Sequence, residues 1–319
     1  MKKKITNYIL ESKTYLSLIE LLKRIKFKSY DDLTLYEVIM VFIGKVRKDE
    51  IIEKANAVAF NFTVAVFPGI IFLFTLTPYI HQVIPGVSKA SIMQFIGDIM
   101  PSSMYETVYA TVEDIVANTR GGLLTFGAVL SLYLATNGMM SLMKAFNSCY
   151  KTIEKRGFLK MRLVATGLTV MLAIVMMLAS ILLVIGNALV DLVNSLYWLN
   201  IEDYLIYIFF LLRFVVLFIV FFLAISFIYY FGPAVHYNWR FFSIGSLIAT
   251  FLSMAVTYGF SFYVSNFATY NKLYGSLGVL IALMIWQEIL SIVLLVGYEV
   301  NASVHHAYRI SGIDESKLV

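Results

Sequence analysis

Charge is scarce in this chain. Asp, Glu, Lys and Arg make up 14% of its 319 residues, against about 25% in a soluble globular domain. Cysteine is nearly absent: the single Cys149 excludes an intramolecular disulfide and any cysteine-cluster metal site. Histidine is sparse too, with only His81, His236, His305 and His306. No His-x-His-x-Asp-His run, His-Glu-x-x-His, Walker A loop or nucleophile elbow occurs. Metal-dependent hydrolysis needs clustered His and carboxylate ligands, so the sequence argues against that chemistry and points to no cofactor. No charged n-region followed by a short apolar stretch opens the chain, so no cleavable signal peptide is expected.

What the chain has instead is apolar length. Hydrophobic residues make up 60% of it, and the mean hydropathy is +0.81. Most of its surface must therefore face lipid or other buried helices. A spanning helix needs roughly 20 mostly apolar residues. Six segments qualify: 57–80, 122–145, 163–189, 205–231, 242–267 and 277–300. The fold expected is an all-α polytopic membrane protein of six transmembrane helices. Residues 81–120 are too polar to span. Ile92, Phe95, Ile96 and Ile99 recur there at helical spacing, as do Val108, Val112, Ile115 and Val116, with Pro101 between the runs. They read as two amphipathic helices on the outer side.

Lys and Arg set the orientation. Twelve lie in the segment ending at Lys54. Six more, Lys144 to Arg162, lie at the end of the second span and in the link after it, and Arg240, Arg309 and Lys317 bring one end of the bundle to 21 of the 25. That end is expected to be cytoplasmic, with both termini inside. The domain reading is a basic N-terminal segment, 1–54, a six-helix domain, 55–306, and a short tail, 307–319. The run "NYILESKTYLSLIELLKRIKF" in the first segment has apolar and basic faces. It could lie on anionic lipid head groups or be an ordinary solvated helix.

A few polar residues interrupt the spans. Glu288 lies 11 residues past Leu277, about 17 Å deep at 1.5 Å per residue. An ionised carboxylate there is costly and normally faces the bundle interior. Arg213, 8 residues into the fourth span and so about 12 Å from the same surface, is the expected partner. The pair reads either as a structural tie or as part of a transport path. Gln287 precedes Glu288. Glu299 lies three helical turns further on the same face, lining a path or sitting in the wet interface beside a Lys or Arg. Tyr133, Asn137, Ser141, Lys144 and Ser148 form a stripe expected to look inward, either as cavity lining or as interhelical hydrogen bonding. Gly245, Ala249, Ser253, Thr257, Ser261 and Ser265, each four apart, read as a packing seam. Pro68, with Asn56, Asn61 and Thr63 before it, is expected to interrupt the first span, as a plain kink or as a broken helix at a binding site.

Several stretches resemble one family. They are "ANAVAFNFTVAVFPGIIFL", "GLLTFGAVLSLYLAT" followed by "KAFNSCY" and "KRGFLKMR", "YYFGPAVHYNWRFFSIGSLIAT", and "YGSLGVLIALMIW" with "VGYEVNA". Their order and spacing from about residue 54 to 302 resemble the YihY/BrkB family of bacterial inner-membrane proteins. The resemblance implies six spans, cytoplasmic ends and an inner-membrane location. It supplies no settled activity; transport and a ribonuclease BN label have both been attached to the family, and the histidine pattern above argues against the second. The family usually has Gly-Ala-Glu where this chain has Gly297, Tyr298 and Glu299, so the glutamate matches and Tyr298 departs. The leading expectation is a non-enzymatic transporter of an amphipathic or lipid-like substrate, with no nucleic-acid partner and with room for a homo-oligomer. The alternative is a scaffold or envelope-assembly protein.

Overall fold

In a computed structural model the described residues are 13–27, 33–46, 50–81, 121–150, 152–175, 203–234, 240–266 and 276–310. The expected amphipathic helices within 81–120, the end of the third span and the tail beyond Ile310 lie outside them.

Two short helices come first, α1 (Lys13–Arg24) and α2 (Leu35–Val46). A ribbon of two-residue strands joins them, β1 (Lys26–Phe27) antiparallel to β2 (Leu33–Thr34). It is the one departure from helix among the described elements. Thr34 and Glu37 close a capping box on α2: Glu37 accepts from Thr34 N at 2.9 Å, and Thr34 Oγ1 accepts from Glu37 N at 3.3 Å. Each satisfies a donor that the first helical turn would leave open.

The long helices are α3 (Ile51–His81), α4 (Gly121–Cys149), α5 (Phe158–Val175), α6 (Asp203–Phe231), α7 (Ile244–Asn266) and α8 (Ser276–Ile310). Among the described residues, segments of the last five are long and apolar enough to cross a membrane: 121–149, 158–175, 214–231, 244–263 and 281–307. The expected first span lies within α3, whose 31 residues extend about 46 Å. The expected sixth span stops short of the observed helix. α8 continues ten residues past Val300, because Val304 and Ala307 are buried against Val38 of α2 and hold the extra turns. α3 likewise starts at Ile51, inside the segment read as N-terminal, with Ile51 in the main core.

Pro68 does not break its helix. α3 runs unbroken across it, and Pro68 is buried. α3 and α4 pack side by side and antiparallel. Gly138 admits the Phe62 ring, which an added Cβ would meet at 2.7 Å, and Gly127 lies against the Phe72 backbone.

The core gathers where α3, α4, α6, α7 and α8 meet. Met139, Met143, Phe146, Leu295 and Tyr298 are fully buried there. The outward faces stay apolar, with Phe126, Leu163, Phe214, Phe251 and Phe262 exposed. Such a surface suits hydrocarbon, not water. Hydroxyls within the helices turn back on their own turns: Thr136 donates to Leu132 O, Thr169 to Ala165 O, Thr250 to Ser246 O and Ser291 to Gln287 O. Bonds of this kind satisfy a polar group without a neighbour.

Candidate functional site

Polar side chains collect at two levels along α8, separated by the 11 residues from Glu288 to Glu299, about 17 Å of helix.

At the first level α3 and α8 face each other through uncharged and acidic groups. Thr63 Oγ1 and Gln287 Oε1 are 2.6 Å apart. Beside them, in the amide orientation that satisfies both groups, Asn56 Nδ2 donates to Glu288 Oε1 at 3.0 Å and to Ile52 O at 3.1 Å. Glu288 is half-buried and Asn56 exposed. This is a seam with one side covered and one side open. Asn56 is the sixth residue of α3, so it stands only about 8 Å along the helix from its start. The carboxylate is therefore tied toward the end of the bundle that carries α2. Arg213 lies on α6; its side chain falls outside the description, so Asn56 is the partner that the described residues give Glu288. Asn61 spends its amide on Ala57 O of its own helix, at 2.7 Å.

The second level is enclosed. Glu299 is fully buried, and Lys45 Nζ of α2 lies 2.9 Å from its Oε1. Ser303 Oγ is at 3.5 Å, and Lys45 also donates to Cys149 O at 3.3 Å. One lysine thus joins α2, α4 and α8. Tyr298 fills the space next to it, with its ring stacked on Phe146 at 4.2 Å and edge-on to Tyr229 at 5.6 Å. Tyr229 donates to Leu294 O at 2.6 Å. Tyr298, where the resemblance implies a small residue, is accommodated by this aromatic trio.

Gly297 explains why α7 and α8 come so close. A Cβ there would meet Ala249 Cβ and Tyr229 Oη, each at 2.6 Å, and one on Gly245 would run into Gly297 O. The expected packing seam on α7 is therefore present at Gly245, Ala249 and Ser253, which are buried. It ends before Thr257 and Ser261, which are exposed. Asn301 caps the crossing: its Oδ1 accepts from Gly245 N at 2.8 Å, and its Nδ2 donates to Ser243 Oγ at 2.8 Å.

Around this level the link between α4 and α5 makes a second polar knot. Arg156 grips Glu154 at 2.7 Å and donates to Phe231 O and Gly232 O, capping the end of α6. Asn147 joins in by donating to Glu154 at 2.8 Å and accepting from Ala234 N at 2.7 Å. The Arg156 guanidinium holds the Glu154 carboxyl below its ordinary value, with backbone donation from Arg156 and the Asn147 amide also helping. Tyr150 and His305 share a short hydrogen bond.

The stripe on α4 lies elsewhere. Tyr133, Lys144 and Ser148 are exposed; Asn137 and Ser141 are half-buried. The buried face of α4 is the one with Gly138, Met139, Leu142, Met143 and Phe146. The stripe thus looks away from the packed core, not into it. Part of it is covered by Arg162 of α5, which donates to Asn137 Oδ1 and to Tyr133 O and lies 4.1 Å from the Tyr133 ring centroid. Arg162 can cover Asn137 because their helices are antiparallel neighbours. In the sequence it reads only as one more basic residue at the end of the bundle.

Sequence reasoning offered a Lys or Arg beside Glu299 but placed the pair in a wet interface and did not name Lys45, whereas Glu299 is fully buried; the Arg156 knot and the Asn301 cap it missed altogether. Each joins residues far apart in the chain. The one signal available was a carboxylate, Glu299, in a run of apolar residues, which called for a cation without naming it.

Comparison with known proteins bears on all of this. The family model described as virulence factor BrkB matches residues 42–317, a range that takes in α3 to α8 and the Lys45 end of α2. A Bacillus subtilis (strain 168) protein whose name calls it ribonuclease-like, YfkH, is 31% identical over 253 residues, covering 79% of this chain and 90% of that protein. No solved structure matches significantly.

Proposed function

From the premise that this chain belongs to the virulence factor BrkB family and is a multi-pass membrane protein, we propose that it transports an amphipathic or lipid-like substrate. The observation that supports this reading is the half-open seam of Asn56, Thr63, Gln287 and Glu288 between α3 and α8. Groups that serve only packing are normally enclosed on all sides, as Glu299 is. A carboxylate left half-exposed on an otherwise apolar helix is suited to a polar head group that travels with an apolar tail. In this reading α3 is a sixth span, the membrane is the bacterial inner membrane, and the end bearing α2 is cytoplasmic.

The ribonuclease-like name of the relative is not carried over. Hydrolysis of RNA by a metal needs clustered ligands, and among the described residues no three His, Cys, Asp or Glu side chains come together.

One observation favours the second reading, a scaffold that moves nothing. The Phe146, Tyr229 and Tyr298 trio fills the centre of the bundle at the level of Glu299. A scaffold would keep such a plug permanently; a transporter would have to route substrate past it, along the open side of the seam.

Proteoliposomes carrying NBD-labelled phospholipid, bleached from outside with dithionite, separate the two. Transport predicts faster bleaching of inner-leaflet lipid than in protein-free vesicles, and a slower rate for Glu288→Gln that folds normally. Equal rates for wild type, variant and empty vesicles would sink the lipid-like substrate.

A further inference from the structure

α2 is apolar on two sides, and only one of them is covered. Val38 is buried against Val304 and Ala307 of α8, and Lys45 on the same side ties to Glu299. Met40 stands two residues on from Val38, about 200° around the helix at 100° per residue. Met40 and, a turn later, Ile43 are 53% and 43% exposed. Leu21 of α1 and Ile25 just after it are exposed as well. Exposed basic side chains border them: Lys23, Arg24 and Lys26, with Lys23 Nζ 5.3 Å from the Tyr36 ring centroid.

The level of this surface is fixed by the ion pair. Glu299 follows Tyr298, which stacks on Phe146 near the end of α4 at Cys149 and touches Tyr229 near the end of α6 at Phe231. Gly297 meets Gly245, the second residue of α7. Lys45 thus holds the end of α2 in the plane where the spans finish. The neighbouring link and the first turn of α5 carry the same pairing of residue types, with Phe158 and Leu159 each 72% exposed beside exposed Lys155 and Lys160.

We propose that α1, the β ribbon and α2 form an amphipathic hairpin seated in the head-group boundary of an anionic leaflet. Met40, Ile43 and Leu21 enter the acyl edge, and Lys23, Arg24 and Lys26 contact lipid phosphates. Three features select lipid over a soluble partner: the Lys45 end of α2 held at the plane where the spans finish, the apolar face on a helix that already has one face buried, and basic residues at its rim. The proposal goes beyond transport and stands whether or not a substrate moves.

The test uses the full-length chain with Cys149→Ala and single cysteines at position 21, 40 or 43, or in place of the exposed Glu20 of α1, each labelled with NBD. The protein is placed in nanodiscs of phosphatidylcholine alone, or of phosphatidylcholine with phosphatidylglycerol. Doxyl-labelled lipid then reports proximity to the acyl region. All four positions are exposed or carry exposed side chains, so the labels leave the core intact; unchanged thermal unfolding of each labelled protein checks this. The proposal expects strong doxyl quenching at 40, 43 and 21, weak quenching at 20, and more quenching with phosphatidylglycerol present. Replacing Lys23, Arg24 or Lys26 with glutamine should weaken the anionic-lipid contact roughly fivefold per residue. Quenching at 40 and 43 no greater than at 20 in either lipid would overturn it. So would NBD self-quenching that grows with protein content while doxyl lipid has no effect, since a second copy would then cover the face.

Discussion

At the scale of single residues, the buried ion pair makes an asymmetric prediction. Glu299 is fully buried, whereas Lys45 keeps 17% of its side chain exposed. Removing one partner of a buried pair leaves the other charge without compensation, and the cost depends on which charge is left inside. Lys45→Ala leaves a carboxylate that cannot reach water, and should destabilise the protein by about 3 kcal/mol. Glu299→Ala leaves a lysine able to swing outward, and should cost only about 1 kcal/mol. Thermal unfolding in detergent decides between them; a Glu299→Ala loss as large as that of Lys45→Ala would contradict the account. Gly297 is the second sensitive position. Gly297→Ala puts a methyl group 2.6 Å from both Ala249 Cβ and Tyr229 Oη, so the helices must separate. Overpacking of this kind costs about 1–3 kcal/mol. Combining it with Ala249→Gly should recover part of the loss, measured in the same unfolding experiment.

At the scale of elements, the Arg156 knot ties the α4–α5 link to the end of α6. The Glu154 carboxyl is lowered in the folded protein, first by Arg156. A lowered carboxylate adds stability above its unfolded value, and that contribution disappears as pH falls through the folded value. Wild type should therefore be more stable than Glu154→Gln at neutral pH, and the gap in melting temperature should close on acidification below the ordinary carboxylate range. A gap that stays constant down to acid pH would show that the knot does not act through this charge.

The elements also show what a sequence can and cannot disclose. The existence and type of α4, α6 and α7 were legible, because their apolar runs are long and nothing inside competes. The end of α8 was not. Past Val300 its composition turns polar, and only burial against Val38 of α2 extends the helix. Of the two expectations for Pro68, a plain kink or a broken helix, the break is not seen: a proline costs a helix one backbone bond, and the rest of a long, packed helix can outweigh that. The α4 stripe failed for a related reason. Period alone places Tyr133, Asn137, Ser141, Lys144 and Ser148 on one face, but glycine and methionine on the opposite face pack more closely, so α4 turns that face inward.

For the whole molecule, apolar length was enough to expect a polytopic helical membrane protein, and the quoted stretches in their order were enough to expect its family. The candidate site was only half legible. Gln287 and Glu288 stood out as polar residues in an apolar run, yet their facing residues, Thr63 and Asn56, come from a helix more than 200 positions earlier. The central claim is that Glu288 lies on a seam open to water that a polar head group can enter. The most direct measurement is labelling of a single cysteine at position 288, in the Cys149→Ala background, with a membrane-impermeant thiol reagent added from each side in turn. Position 295, where Leu295 is fully buried, serves as the dry reference. The account predicts that position 288 reacts from the side bearing α2 while position 295 stays unlabelled. A position 288 as unreactive as 295 from both sides would contradict it, leaving Glu288 as a closed structural contact with Asn56.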